Sequence, residues 1–214
     1  MKPSNYTLYY SPGSASLVVH WMLIELDAPR TLVLVDTAAG AQKQLEYLAL
    51  NPNGVVPTLI IDGMPHYEAA ALLMHLADAF PDAMLAPSLA DPQRIAYSQW
   101  MFNLANMVQP LFRQWWYPHE PASEANAEAV LQCVQPRIEA QWQRIDAHLA
   151  AHGPHLLGDR LTAADFYLVM LMRWSRNMPK QAIAWPHLAA LAARLKARPS
   201  FAELYVREGL TEWV

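Results

Sequence analysis

The chain has 214 residues, of which 54% are apolar types and 16% are charged, and its formal net charge is −4. This composition excludes an intrinsically disordered protein, and the length suits one or two domains. Neither half of the chain carries the basic excess of a nucleic-acid-binding protein, and no apolar run approaches the roughly 20 residues of a membrane-spanning helix. We therefore expect no nucleic-acid partner and no membrane partner.

The N-terminus, the histidines and the single cysteine restrict location and chemistry. The first five residues lack the apolar segment of a secretory signal, so we expect a cytoplasmic protein. The 8 histidines show no metal-ligand spacing, and we expect no metal site. Cys133 excludes an intramolecular disulfide and is expected to be a small buried residue.

Strands and helices alternate in the first part of the chain. The hydrophobic pattern predicts, in chain order, a strand at 6–10, a helix at 17–26, a buried parallel strand at 31–35, a short helix at 42–50, a hairpin at 58–67 and a helix at 69–80. The order β-α-β-α-β-β-α implies a mostly parallel sheet with helices packed on its faces.

The remaining residues show only helical periodicity. One predicted helix carries an apolar stripe, within which Pro136 is expected to cause a kink. The stripe consists of Leu131, Val134, Ile138, Trp142, Ile145 and Leu149. We therefore predict an α/β domain over residues 1–82, a short connector and an all-helical domain over residues 90–214.

Three motifs are spread along the chain. The first, at 8–17, reads LYYSPGSASL; the second, at 51–59, reads NPNGVVPTL and is followed by Glu68; the third, at 156–166, reads LLGDRLTAADF. Together they resemble the cytosolic glutathione S-transferases, most closely the bacterial beta-class type, over nearly the whole chain. The resemblance implies a thioredoxin-like N-terminal domain, a helical-bundle C-terminal domain and a homodimer that uses glutathione as co-substrate.

The second motif implies a glutathione-binding segment at Val56 and Pro57. In the family the proline follows a cis bond, and the preceding residue turns its backbone N–H and C=O outward. Those groups can pair with a tripeptide in the manner of an added strand. The alternative is that Pro57 only shapes the turn before a strand, where a proline is tolerated because no ladder hydrogen bond is needed.

Glu68 stands at the predicted start of the third helix, where the family holds the γ-glutamyl end of glutathione. A carboxylate at a helix N-terminus is also favourable by itself, by about 0.3–1 kcal/mol. The residue that follows is often Ser in the family but is Ala69 in this chain. Since only the backbone N–H of Ala69 remains to bind a carboxylate, we expect a weakened glutathione site.

The main departure from the family is Ala15, which occupies the position of a Cys in the beta class and of a catalytic Ser in several other classes. A hydroxyl donor there would stabilise the glutathione thiolate by about 1.5–3 kcal/mol. Ala15 supplies no such bond and excludes a mixed disulfide, so we expect weak or unusual activity. We predict that Ser16, helped by backbone N–H groups, activates the thiol, with Ser14 and Tyr10 as further candidates. Ser14 can instead be a helix N-cap.

The resemblance also implies a site for the second substrate on the helices after residue 100. The implied contacts are Gln109, Arg113, Trp116 and Trp174, and an aromatic lining suits a small apolar electrophile. Beta-class proteins usually carry a histidine near position 109, and it is missing here. The alternatives are that most of these aromatic residues belong to the core and that Arg113 is a solvated helix residue.

The third motif contains a helix capping box. Thr162 is followed three residues later by Asp165, and Leu161 and Phe166 fit a hydrophobic staple. We therefore interpret Asp165 as a structural residue and not as a catalytic carboxylate.

The sequence supports one main function and two alternatives. The main one is a cytoplasmic, homodimeric glutathione S-transferase that adds the glutathione thiol to small apolar electrophiles, as in detoxification. The first alternative is a non-catalytic binding or adaptor protein with the same fold, which Ala15 and Ala69 favour. The second is a glutathione-dependent isomerase or lyase, which needs less thiolate.

Overall fold

The computed structural model describes residues 5–213, so residues 1–4, part of the segment searched for a secretory signal, lie outside it. The chain divides into two compact units. The first unit runs up to Met84 and also includes Ala197–Glu212, and the second unit is Leu85–Lys196 with Trp213. The predicted domain boundaries, 1–82 and 90–214, place the segment Ala197–Glu212 in the helical domain. It groups with the first unit because its side chains pack on the first helix of that unit, which sequence order does not reveal.

Four strands form the sheet of the first unit: β1 (Tyr6–Tyr10), β2 (Arg30–Leu34), β3 (Thr58–Ile61) and β4 (Met64–Tyr67). Their order across the sheet is β2-β1-β3-β4. Only the β1–β2 pair is parallel, while β1–β3 and β3–β4 are antiparallel. The expectation of a mostly parallel sheet is therefore wrong, because β3 lies on the far side of β1 from β2 and runs in the opposite direction.

The strand β2 is half exposed and not buried as predicted. It lies at the edge of the sheet and pairs only with β1, and Leu34 at its end is 61% exposed. Its β-branched and apolar composition indicated a strand correctly but could not tell an edge strand from a central one.

Nine α-helices lie within residues 5–213. They are α1 (Ser16–Glu25), α2 (Leu45–Leu48), α3 (Ala69–Ala79), α4 (Arg94–Asn103), α5 (Gln109–Trp116), α6 (Ala127–His152), α7 (Ala163–Arg173), α8 (Pro186–Lys196) and α9 (Pro199–Glu208). A π-helical stretch, Leu104–Val108, joins α4 to α5. The order β-α-β-α-β-β-α of the first unit and the all-helical second unit are confirmed. None of these helices is long and apolar enough to cross a membrane.

The core of the first unit forms around α1. Every residue from Ser16 to Ile24 is buried. The Trp21 indole N–H donates to the Ser200 hydroxyl at 2.9 Å, and its ring lies 5.2 Å from the Phe201 ring, measured between centroids. The helix α9 thus covers α1.

The helices of the second unit follow the predicted periodicity. Five residues of the α6 stripe are buried: Val134, Ile138, Trp142, Ile145 and Leu149. The helix α6 continues through Pro136. Cys133 is exposed, so the expectation of a buried cysteine is wrong; it precedes Val134 of the stripe and therefore points to another side of the helix.

The capping box at the start of α7 is confirmed. The Asp165 carboxylate accepts the Thr162 N–H at 2.8 Å and the Leu156 N–H at 2.9 Å, and Asp165 is fully buried. Its role is structural, as interpreted from the sequence.

Candidate active site

The pairing register brings three segments to one end of the sheet. Tyr9 of β1 pairs with Thr58 of β3, and Thr58 pairs with Tyr67 of β4. The turn after β1, the residues that precede β3 and the residues that follow β4 therefore leave the sheet at the same end. These segments carry the first motif, Val56–Pro57 and Glu68–Ala69, so the residues implied to bind glutathione in the first unit share one end of the sheet.

Three serines bond one another in the turn between β1 and α1. The Ser14 hydroxyl donates to the Ser11 carbonyl at 2.7 Å and lies 2.8 Å from the Ser16 hydroxyl. The Ser16 hydroxyl also accepts the Ser11 N–H at 3.1 Å. Ser16 is fully buried, so its hydroxyl braces the turn instead of facing a ligand. This burial argues against Ser16 as the residue that activates a thiol.

Ser14 and Tyr10 are the other two predicted activating residues. Ser14 is half-buried, and its hydroxyl accepts the Ser16 N–H at 3.2 Å. Ala15, directly before α1, has helical dihedrals and no side-chain cap. The bond from the Ser16 N–H to the Ser14 hydroxyl has the spacing of an N-cap bond, which fits the alternative interpretation of Ser14. Tyr10 is half-buried, and its ring lies 5.6 Å from the His20 ring.

Ala15 leaves a backbone donor in the turn. Its side chain cannot form a hydrogen bond, and its N–H has no hydrogen-bond partner among residues 5–213. Because an amide at the start of a helix carries part of the positive end of the helix dipole, this N–H can stabilise an anion.

A buried pair on α1 and α9 holds the same turn. The Glu208 carboxylate accepts the Gly13 N–H at 2.9 Å through one oxygen and lies 2.9 Å from His20 Nδ1 through the other. Both side chains are fully buried. Since a carboxylate oxygen can only accept, His20 Nδ1 is the donor. The backbone just before Ser14 and Ala15 is therefore fixed by a residue of the last helix.

The segment before β3 has backbone groups without hydrogen-bond partners among residues 5–213. The bond between Val56 and Pro57 is cis, and the Val56 side chain is buried against Val35 and Tyr47. Neither the N–H nor the C=O of Val56 has a hydrogen-bond partner among residues 5–213. Both groups can therefore bind a peptide backbone.

Glu68 and Ala69 stand at the beginning of α3, as predicted. Glu68 is exposed and has a φ of 73°, a value that few residues other than glycine adopt. Backbone conformations of this kind cluster at ligand sites. The Ala69 N–H has no partner among residues 5–213 and is one of the unpaired donors of a helix N-terminus.

The predicted contacts for the second substrate lie in the second unit, and two of them touch. The Trp116 indole N–H donates to the Trp174 carbonyl at 3.1 Å. Gln109 accepts a hydrogen bond from the buried hydroxyl of Tyr167. Arg113 forms an exposed ion pair with Glu120. Trp116 and Trp174 are half-buried, so both retain surface that a ligand can contact.

Sequence reasoning missed Tyr47, Asn51 and Glu208. An aromatic residue on a short helix is normally interpreted as core, and nothing in the pattern linked Tyr47 to Val56. The Asn51 side chain belongs to the second motif, yet only its turn character was used. Glu208 lies 195 residues from Gly13, and that contact has no local signal.

The unpaired donors that the arrangement offers at this end of the sheet are backbone N–H groups. The N–H groups of Ala15, Val56 and Ala69 are unpaired among residues 5–213. No group of three or more His, Cys, Asp or Glu side chains suited to a metal ion occurs in that range. This chemistry suits an anionic peptide-like ligand.

Comparisons with known proteins agree with this geometry. The chain matches family models for the glutathione S-transferase N-terminal domain over residues 14–79 and C-terminal domain over residues 105–206. It is 31% identical to the glutathione S-transferase GstA of Escherichia coli O157:H7, covering 95% of this chain and 98% of that protein. It is 27% identical to a maleylacetoacetate isomerase of Pseudomonas aeruginosa, covering 94% of each.

Two solved structures are similar along almost the whole chain. A glutathione transferase homolog from Sulfitobacter with bound glutathione has 27% identity and a TM-score of 0.87, covering 96% of this chain and 99% of that one. The bacterial beta-class glutathione S-transferase of Sphingomonas chungbukensis has 29% identity and a TM-score of 0.84, covering 96% and 100%.

Proposed function

Since this chain belongs to the glutathione S-transferase family, we propose that it binds glutathione along Val56 and transfers the glutathione thiol to a small apolar electrophile. One observation carries the proposal: both backbone groups of Val56 lack a partner among residues 5–213. A tripeptide backbone supplies the matching donor and acceptor. The proposed location is the cytoplasm, and the proposed role is detoxification.

The γ-glutamyl end of glutathione binds at the start of α3. Its carboxylate accepts the Ala69 N–H, which the helix dipole favours, and its ammonium group pairs with the exposed Glu68 carboxylate. The missing hydroxyl at Ala69 removes one donor, so this subsite is weaker than one with serine.

The thiol is activated by the backbone and not by a serine side chain. The Ala15 N–H donates to the thiolate sulfur. Ser11 and Ser14 are half-buried, whereas Ser16 is fully buried. The thiol first loses its proton to solvent. The sulfur then forms a bond to the electrophilic carbon, and a leaving group departs with its bonding electrons or, in an addition, the neighbouring carbon is protonated.

The electrophile contacts the aromatic residues of the second unit. Trp116 and Trp174 are half-buried, and the Phe112 ring lies 6.1 Å from the Trp174 ring. Gln109 is the polar group of this set, and Arg113 lies at its exposed margin with Glu120. Aromatic linings with few polar groups suit small apolar ligands.

The proposed assembly is a homodimer. Exposed large apolar side chains support it, because their burial in an interface is favourable. Among them are Met64 at 65% exposure, Ile95 at 74% and Phe102 at 58%.

The proposal is tested by calorimetric titration with glutathione, followed by an assay of thiol conjugation to an aryl halide. We expect saturable binding and slow conjugation, with free cysteine as a control ligand that binds far more weakly because it lacks the peptide backbone. Absence of glutathione binding at millimolar concentration leaves only the adaptor function.

A glutathione-dependent isomerase is the second candidate. The lack of a side-chain donor at Ala15 and the similarity to a protein named maleylacetoacetate isomerase favour it. An isomerase converts a cis-enone without consuming glutathione, so following glutathione concentration during turnover separates it from a transferase.

A further inference from the structure

The carbonyl of Val55, one residue before the proposed glutathione edge, is held by two side chains. The Tyr47 hydroxyl donates to it at 2.8 Å, and the Asn51 amide nitrogen donates to it at 2.8 Å. Tyr47 lies on α2 and is 6% exposed, and Asn51 is 1% exposed. A carbonyl with two buried donors cannot rotate without leaving both unpaired.

A third buried group fixes the direction of the Tyr47 hydroxyl. Thr58 Oγ1 lies 2.8 Å from the Tyr47 oxygen. The Val55 carbonyl can only accept, so the single Tyr47 hydroxyl hydrogen is directed to it and the Thr58 hydroxyl donates to Tyr47. Burial raises the pKa of Tyr47, which keeps the hydroxyl protonated and able to donate in the alkaline range where thiols ionise.

This arrangement determines where the next N–H points. In a trans peptide the C=O and the N–H point in opposite directions. The Val55 carbonyl points at Tyr47 and Asn51, so the Val56 N–H points away from them, and it has no partner among residues 5–213. We propose that Tyr47 and Asn51 are positioning residues that hold the Val55–Val56 peptide in the orientation glutathione requires. This inference rests on the proposed function.

Tyr47 also packs against a neighbouring tyrosine. A variant can therefore remove the hydrogen bonds of Tyr47 and keep its packing. The Tyr9 ring contacts the Tyr47 ring edge-on at 6.0 Å between centroids, and Phe in place of Tyr47 would preserve that contact. The loss of a neutral hydrogen bond corresponds to about a 3- to 10-fold change in an equilibrium constant. A positioning role predicts that this loss appears in glutathione affinity.

The test compares Tyr47→Phe with Tyr9→Phe, a matched removal of a hydroxyl from the same aromatic pair. We expect the Kd and KM for glutathione to rise about 3- to 10-fold in Tyr47→Phe, with kcat at saturating glutathione within about 2-fold of the original. Tyr9→Phe should leave all three unchanged. A change in kcat alone, or the same Kd as the original protein, overturns the inference.

Thr58→Val provides a second variant if Tyr47→Phe does not fold. It removes the donor to Tyr47 with little change in shape, and we expect a smaller rise in Kd, about 2- to 4-fold. An unchanged Kd in Thr58→Val contradicts the inference. Protection of the Val56 N–H from hydrogen exchange by glutathione, measured by NMR, should also decrease in either variant. If the original protein binds no glutathione, the proposed function fails, whereas binding that all variants retain overturns the positioning role alone.

Discussion

At the scale of single residues, the proposed mechanism assigns thiol activation to the backbone N–H of Ala15 and not to a side chain. The neighbouring serines cannot replace a hydroxyl at position 15, because Ser16 is buried and both Ser14 and Ser16 bond within the turn. The Ala15 N–H remains as a donor. One amide stabilises a thiolate less than an amide and a hydroxyl together. Under the proposed mechanism, a higher fraction of the bound thiol is therefore protonated at neutral pH.

Restoring a hydroxyl should therefore lower the pKa of the bound thiol. In Ala15→Ser we expect that pKa to fall by about 1–2 units, from one hydrogen bond to a charged group. A lower pKa gives a larger fraction of thiolate at pH values below the original pKa. The value of kcat/KM near pH 6.5 should therefore rise about tenfold or more, while the rate above pH 9 changes little. A pH profile of kcat/KM measures this.

Ala39→Ser, on an exposed loop, is the control for a general effect of an added serine. It should keep the original profile. If Ala15→Ser raises the rate equally at every pH, the added hydroxyl acts on something other than the thiol.

At the scale of elements, the sequence predicted the start of a helix more accurately than the pairing of strands. The start of α7 followed from the spacing of Thr162 and Asp165, because a capping box depends on residues that are close in sequence. The direction of β3 and the exposure of β2 were wrong, because strand pairing depends on partners far along the chain. The motifs located Val56 and Glu68 at the candidate site. The burial of Ser16 depends on the packing around it, which the motif does not reveal.

The capping box should stabilise the second unit strongly. Asp165→Ala leaves the Leu156 and Thr162 N–H groups buried without their acceptor, at about 1–3 kcal/mol each. We expect a loss of at least about 2 kcal/mol in the free energy of unfolding, measured with urea. Asp159→Ala is the exposed control and should change stability by less than about 0.5 kcal/mol. Equal losses in the two variants would show that the buried carboxylate is not the reason.

At the scale of the whole molecule, the first unit is closed by a segment from the other end of the sequence. Trp21 and His20 of α1 contact Ser200 and Glu208 of α9, and Glu208 also holds Gly13. A domain boundary drawn along the sequence cannot represent this arrangement. The turn that carries Ala15 therefore depends on a residue 195 positions further along the chain from Gly13.

Removing Glu208 should disturb both stability and the site. Glu208→Ala removes the acceptor of the buried His20 Nδ1–H and the acceptor of the Gly13 N–H, and leaving a buried donor unpaired costs about 1–3 kcal/mol. We expect a lower urea midpoint and a higher KM for glutathione. Glu203→Ala on the same helix removes exposed ion pairs with Arg30 and Arg207, worth at most about 1 kcal/mol, and should leave KM unchanged. A matching loss in both variants would rule out a special role for Glu208.

The exposed side chain of Cys133 gives this protein a practical property. A maleimide fluorophore or spin label has a single sulfhydryl to react with, because Cys133 is the one cysteine of the sequence. The reporter sits on α6, in a different unit from every group proposed to hold the tripeptide. Spectroscopy on the unmutated polypeptide can therefore follow the helical unit while ligand is added.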